Sequence, residues 1–458
     1  MKPSPRLMNP SYTRMRIHIR SRYILAVLGA AGLAAGQAAA QSPLTLDEAI
    51  ARALKQNPST RAAAAASQEA SERARQARAG WMPRLDVTET WQRGNQPVFV
   101  FGSILAQRSF TQANFAIDAL NHPDPVSNFR TGISVEQLVF DGARTRSANR
   151  SAAIGEQIAN AGSRETASSL RLGATSAFGE VLMAQGNRAA AAAALESAEE
   201  DVRRAERRRD AGLATEADVL AVKVHLAQIR ERQISAASRE TVARLKLNEV
   251  MGEPLDARFE LRVPAVAAIA PTTAVADLEA EALANRPDVI RAGAQERLAR
   301  ESVTAAKSVF YPQAAVQGVY EFNGGTFADR VSAWTVGAVI RWNLFGGFAD
   351  SAKLGEAKAA TERASAERHR QEAAARVDVR AALARLDEAR ARLEVGRLAV
   401  AQAKESHRIV RDRFDAGLAP VNDLLRSSTA MLDAESNQTG AAVDVLISAA
   451  LLERALGR

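Results

Sequence analysis

The 458-residue chain has no cysteine. That excludes disulfides, thiolate metal ligands, a cysteine nucleophile and an N-terminal lipidated cysteine. Histidine is scarce: His18, His122, His225, His369 and His407 are scattered, without metal-ligand spacing. A P-loop, a dinucleotide-binding glycine fingerprint and an H-E-x-x-H zinc helix are also missing. The sequence therefore offers no catalytic, cofactor or metal site, and a protein that is not an enzyme is expected. Acidic residues are absent from the first forty positions, which carry Lys2, Arg6, Arg14, Arg16, Arg20 and Arg22. The remainder is nearly balanced in charge, so the pI of about 10.1 is no nucleic-acid footprint. Beyond the leader no run of about eighteen apolar residues occurs, so any contact with a bilayer needs a device other than a transmembrane helix.

What is present begins with an address. A positive stretch, Arg14 to Arg22, precedes the apolar run Tyr23 to Gly36, and Ala38-Ala39-Ala40 offers an A-x-A cleavage site. This layout predicts a signal peptide over 1–40 and a mature start near Gln41; an uncleaved anchor is the alternative.

The rest is a duplicated unit. Asn57-Pro58 matches Arg286-Pro287, and Gly80-Trp81-Met82-Pro83 matches Val309-Phe310-Tyr311-Pro312, both 229 positions apart. Further on, Val139-Phe140-Asp141-Gly142 matches Leu344-Phe345-Gly346-Gly347 at an offset of 205. The stretch from Arg208 to Ala214 matches Arg413 to Ala419, again at 205. The first repeat, 41–252, thus carries about 24 extra residues, an enlarged loop around 94–128. Proline-containing 253–273 reads as a linker, and 274–458 is the second repeat.

Each repeat predicts a helix, a strand pair, a very long helix, a turn and a further helix. The strand pairs fall near 83–140 and 312–345. In the second, Ala314, Val316, Gly318, Tyr320 and Phe322 share a face opposite Gln313, Gln317 and Glu321, the period-two pattern of strands between unlike media. All four tryptophans, Trp81, Trp91, Trp334 and Trp342, lie in or beside these strands. They face either the core of a soluble sandwich or lipid, as the girdle of a barrel. Four strands cannot close a useful barrel alone, and lipid does not tolerate open edges. The long helices, 143–211 and 350–416, contain no proline. Each would run on the order of 100 Å, with two shorter helices (215–251 and 421–457 among them) stacked end to end beside it. Their alanine-rich stripes suit packing in a large coiled-coil assembly.

The twice-repeated Arg-x-x-x-Gly-Leu-Ala-x-x-x-Asp-x-Leu, at Arg208/Gly212/Leu213/Asp218/Leu220 and Arg413/Gly417/Leu418/Asp423/Leu425, carries a resemblance to a known family. Together with the duplicated element order, it resembles the TolC-type outer-membrane efflux proteins across about Leu44 to Gly457. The resemblance implies an α+β membrane protein. Each chain would give four transmembrane β-strands to a shared 12-stranded trimeric barrel, and its long α-helices to a periplasmic α-barrel tunnel. It implies a homotrimer in outer-membrane lipid of a Gram-negative bacterium. Such a trimer is a passive exit channel of a tripartite efflux or type I secretion system, joined to an inner-membrane transporter by a periplasmic adaptor. The alternative is a periplasmic adaptor or other coiled-coil structural protein without channel activity.

The turns carry the candidate site. Asp218 and Asp423 enter the first turns of their helices, where Asp favours the helix dipole and Thr215-x-x-Asp218 resembles a capping box. The functional reading is a periplasmic gate, with six carboxylates ringing one mouth. A family member carries Tyr where Phe414 stands, Arg where Ala419 stands and Asp where Arg426 stands. Closure is therefore expected from an apolar constriction at Phe414 or a salt link from Arg426 to an Asp. Arg203, Arg204, Arg207, Arg208 and Arg209 form either a solvated face or an adaptor-docking surface. Docking would extend over Gly212-Leu213-Ala214, Arg413 and Gly417-Leu418-Ala419.

Overall fold

The computed structural model describes residues 43–264 and 274–458. The expected signal peptide and the 265–273 part of the linker lie outside these residues. In the first repeat, helices α1 (Leu46–Gln56) and α2 (Pro58–Arg78) lead to strand β1 (Arg84–Gly94). Short helices α3 (Pro97–Ala106) and α4 (Ile117–Asn121) follow, then strand β2 (Val126–Phe140), helix α5 (Arg144–Asp210) and helix α6 (Glu216–Met251). The second repeat has helices α7 (Val275–Asn285) and α8 (Pro287–Lys307), strands β3 (Gln313–Gly324) and β4 (Val331–Arg341), and helices α9 (Ala349–Asp415) and α10 (Val421–Leu456). No helix among the described residues is long and apolar enough to cross a membrane.

Local chemistry sets the breaks. Thr45 and Glu48 cap each other's backbone amides at the start of α1 (3.0 and 3.3 Å). The residue before a proline is pushed out of the helical region, so Asn57 (ψ 131°) and Arg286 (ψ 125°) each interrupt a helix. Gly252 and Gly457, which end α6 and α10, press into those two kinks. An added Cβ would come within 2.9 Å of Gln56 or 2.6 Å of Asn285.

The four strands form one antiparallel sheet in the order β1-β2-β3-β4. Its register aligns Val87, Ile133, Tyr320 and Trp334 in one row, and Leu85, Val135, Gly318 and Val336 in another. Rows between them place Asp86, Ser134 and Thr335 with Val319, and Thr88 and Glu321 with Gly132 and Ala333, on the opposite face. One face is thus mainly apolar and the other mainly polar.

The helices keep the same lateral order. Next to the sheet, neighbours run α2, α5, α8, α9; farther away they run α6, α5, α10, α9. Shorter helices stack end to end beside each 67-residue rod. The described residues from Pro43 onward form a wall four elements wide at both levels. Its inner packing is alanine-rich, for example Ala382, Leu386, Ala389 and Leu393 against Val445 and Leu452.

Two of the expected connections carry structure of their own. The 94–128 stretch is not a plain loop: it folds α3 and α4, because Pro97 seeds an uninterrupted apolar helix, PVFVFGSILA. The described part of the 253–273 linker is not free either. Leu44 donates to Glu260 O (2.7 Å), Arg262 donates to Leu44 O (3.0 Å), and Phe259 and Leu261 pack on the core around Phe178 and Leu247.

Candidate functional site

Both α5 and α9 end in tight turns at the far end from the sheet. Gly212 (φ 74°) and Gly417 (φ 78°) occupy left-handed positions where a side chain would be strained. Leu213 N–H donates to Arg208 O and Leu418 N–H to Arg413 O, each at 2.8 Å, so orphan helix carbonyls are satisfied. Leu213 and Leu418 project outward, 68% and 69% exposed. Ala214 and Ala419 continue the turns, with Ala419 packing on the tip cluster.

The carboxylates of the two turns differ. Thr215 N–H and Oγ1 both donate to Asp218 Oδ2 (2.9 and 2.8 Å), and Asp218 N–H donates back to Thr215 Oγ1 (3.2 Å). Those bonds, the backbone one foremost, hold the Asp218 carboxyl below its usual pKa. At the repeat-related position stands Pro420, which has no hydroxyl to offer, and Asp423 is exposed with no side-chain cap.

Phe414, the expected apolar constriction, is 5% exposed and packed with Ala205, Val219, Val222, Val421 and Leu424. The guanidinium of Arg208 lies over its ring, 4.9 Å from the centroid, and donates to Phe414 O and Asp415 O. Arg204 pairs with Asp415 at 2.6 Å. Arg208 therefore fastens one hairpin to the other and is not a free docking side chain. Arg413, its repeat mate, is exposed, and neither it nor Arg426 forms an ion pair among the described residues; the expected Arg426–Asp link is absent there. The sequence reading missed Arg204 and Arg208 as an inter-hairpin clamp. A cluster of arginines opposite a lone buried aromatic was the available signal.

Asp201, one turn before Arg204, is 2% exposed. Burial raises its pKa against the pull of Arg204 and Arg411. His225 and His407 sit near this end, both pushed below the ordinary histidine pKa by burial. No group of three or more metal-capable side chains occurs among the described residues.

At the sheet, Trp81, Trp91, Trp334 and Trp342 are all substantially exposed, at 47%, 60%, 72% and 58%. Trp81 and Trp342 lie at the helix-facing end, where Trp342 Nε1 donates to Phe310 O (3.2 Å). Trp91 pairs with Phe129 near the other end, and Trp334 pairs with Tyr320. So large an apolar surface on one sheet face marks contact with lipid or protein. The polar face carries an Arg130–Glu321 ion pair at 2.5 Å.

A sheet with unlike faces, continued by a wall of rods, defines a subunit of a channel with a β-barrel and a helical tunnel. The chain belongs to the outer membrane efflux protein family, whose model matches residues 49–253 and 278–458. Solved structures share the fold. A membrane protein from Pseudomonas aeruginosa is 22% identical, with a TM-score of 0.79, covering 90% of this chain and 93% of its own. The outer membrane protein VceC of Vibrio cholerae is 19% identical, with a TM-score of 0.76 and coverage of 90% and 96%. The Campylobacter jejuni CmeC outer membrane channel is 17% identical, with a TM-score of 0.76 and coverage of 90% and 85%. No curated protein sequence matches the chain.

Proposed function

We propose that three copies close edge to edge into a passive conduit that crosses the outer membrane and the periplasm. The observation that carries this reading is the pair of open edges. Among the described residues β1 and β4 each have a strand partner on one side only, and α6 and α9 border the wall below them. These border helices expose apolar residues at multiples of seven: Leu220 and Ile234 on α6, Val377 and Leu398, and Val395 and Ile409, on α9. Such stripes ask for a neighbouring helix, and unpaired strand edges in lipid ask for a neighbouring strand. Two copies would give eight strands, a barrel that its own side chains fill, whereas three give twelve and leave a bore. The mainly polar face lines that bore and the tryptophan face meets lipid. A periplasmic adaptor, the rival reading, leaves the tryptophan face without a role.

In this reading the hairpin turns form the periplasmic gate. Asp423 supplies a free carboxylate from each copy to the mouth, while Asp218 is held by its cap. The Arg208 and Arg204 clamp on Phe414 and Asp415 keeps the two hairpins together in the closed state. A periplasmic adaptor docks on Gly212-Leu213-Ala214, Gly417-Leu418-Ala419 and the free Arg413, and couples the conduit to an inner-membrane transporter. The leader directs export, and anchoring rests on the barrel, since no cysteine is available for lipidation.

Purified mature protein in planar bilayers tests this. Trimers with a small cation-preferring conductance are expected, with weakened cation preference in Asp423→Ala. Monomers that pass no current would refute the conduit.

A further inference from the structure

The insertion between β1 and β2 is the one large feature that the second repeat lacks; there Gly324 and Val331 bound a short connection. Its first helix, α3, contains no charged residue. That is unusual for a segment at the water-facing end of a membrane sheet. The helix is also fixed in place. Gln107 Nε2 donates to Ser127 O (2.8 Å) and to Asn128 Oδ1 (3.0 Å), and Asn128 Nδ2 donates to Asn323 Oδ1 (3.0 Å). Arg108, in the left-handed region at φ 52°, donates from Nη2 to Ser332 O on β4 (3.0 Å).

The side of the sheet follows from register. Asn128 has the parity of Arg130, and Arg130 pairs with Asn323, so the tether sits on the polar face. Asn128 and Asn323 are 8% and 2% exposed, covered by the insertion. α3 thus lies against β2 and β3, and Gln107 and Arg108, which follow it, tie it to β2 and β4 on the side of the polar face. Behind it, Phe110 stacks edge-on against Phe101 and Phe115 (5.0 and 5.1 Å between centroids), giving the insertion a small core of its own. Val98 and Ile117 are left pointing outward, 79% and 78% exposed.

We infer that this insertion is a cap that closes the outer mouth of the barrel, with the apolar surfaces around Val98 and Ile117 of three copies meeting on its axis. The inference rests on the trimeric-barrel reading. Twelve strands about 4.8 Å apart and tilted by about 40° enclose a backbone diameter of about 24 Å. A helix with its side chains is about 10 Å thick, so three laid on the inner wall leave almost no free bore. The occupant of each exposed apolar face is the cap of the neighbouring copy, because the bore side of one subunit faces only the other two. The channel then has two constrictions of different chemistry: a charged one at the periplasmic tip and an apolar one outside. Cargo leaves by separating the caps, and the Gln107 and Arg108 tethers set how readily they part.

The absence of native cysteine makes the test clean. Val98→Cys and Ile117→Cys, each in the full-length protein in outer membranes, are treated with a short bis-maleimide. Covalently linked copies are expected on denaturing gels for at least one of them. In parallel, Thr335→Cys on the bore face is labelled from outside intact cells with a bulky impermeant maleimide. Adding Gln107→Ala and Arg108→Ala is expected to speed that labelling about tenfold, an access readout independent of the periplasmic tip. Intact trimers with no cross-link at either position and equally fast labelling with and without the tethers would overturn the cap and leave the barrel standing. Monomers would overturn both.

Discussion

The two hairpins of this protein share one geometry and use different chemistry to hold it. Midway along the first, Glu240 on α6 is 8% exposed in its side chain and paired with Arg188 (2.8 Å) and Arg244 (2.7 Å). At the repeat-related positions of the second hairpin stand Val445, Leu393 and Ala449, part of one apolar cluster with its neighbours. Arg244 also donates to Phe259 O (2.8 Å), so the ionic version ties in the segment between the repeats, which the apolar version does not. The same helix pair can therefore be locked by a desolvated ion triad or by aliphatic packing. The first adds a third attachment at the cost of burying charge.

The largest effect that would break this contrast is expected from Glu240→Ala. It leaves two arginines without their acceptor and should destabilise the first hairpin by roughly 2–4 kcal/mol. Hydrogen exchange in the middle of α6 would quicken while that of α10 stayed unchanged. Replacing the triad by its counterparts, Arg188→Leu, Glu240→Val and Arg244→Ala, should restore stability or raise it by about 1–4 kcal/mol. The triad also sets a pH dependence. Burial alone would raise the Glu240 carboxyl, but the two arginines outweigh it and hold its pKa below the ordinary glutamate value. Its stabilising contribution is present above the unfolded value and is lost as pH falls through the depressed folded one. Acid should open α6 before α10, and should not if Val445 and Glu240 are interchangeable in role.

A smaller contrast lies at the tips. Arg208→Ala removes two hydrogen bonds and a ring contact and is expected to cost about 1.5–3 kcal/mol. Arg413→Ala, at the equivalent exposed position, should stay within about 0.5 kcal/mol. Protease sensitivity of the turns at graded temperatures would separate them; equal sensitivity would mean that the clamp does not hold the tip.

The smallest contrast is the cap. Thr215→Ala should loosen the start of α6 by about 1 kcal/mol. Pro420→Thr, which gives Asp423 the hydroxyl partner that Asp218 has, should tighten the start of α10 by a similar or smaller amount. Amide exchange of the first helical turns reads both. No slowing in Pro420→Thr would show that Asp423 is held elsewhere.

Much of this was legible before the fold. The twin offsets of 229 and 205 exposed the duplication, because a repeated unit keeps its kink, strand and turn residues. Strand parity separated Tyr320 and Trp334 from Glu321 and Thr335, since side chains alternate strictly along a strand. Glycine and capping residues marked the tip turns for equally local reasons. The helical identity of the insertion was hidden, because a short apolar run bounded by proline reads equally well as loop or strand.

The sequence by itself determined the order, lengths and faces of the elements, because these follow from propensity, periodicity and punctuation within a few residues. Only the tertiary structure decided which side chains meet across the hairpins. It buried Phe414 beneath Arg208, paired Arg204 with Asp415, and tied Arg108 to Ser332 on β4. Those outcomes depend on contacts between residues more than a hundred positions apart, and no local pattern encodes them.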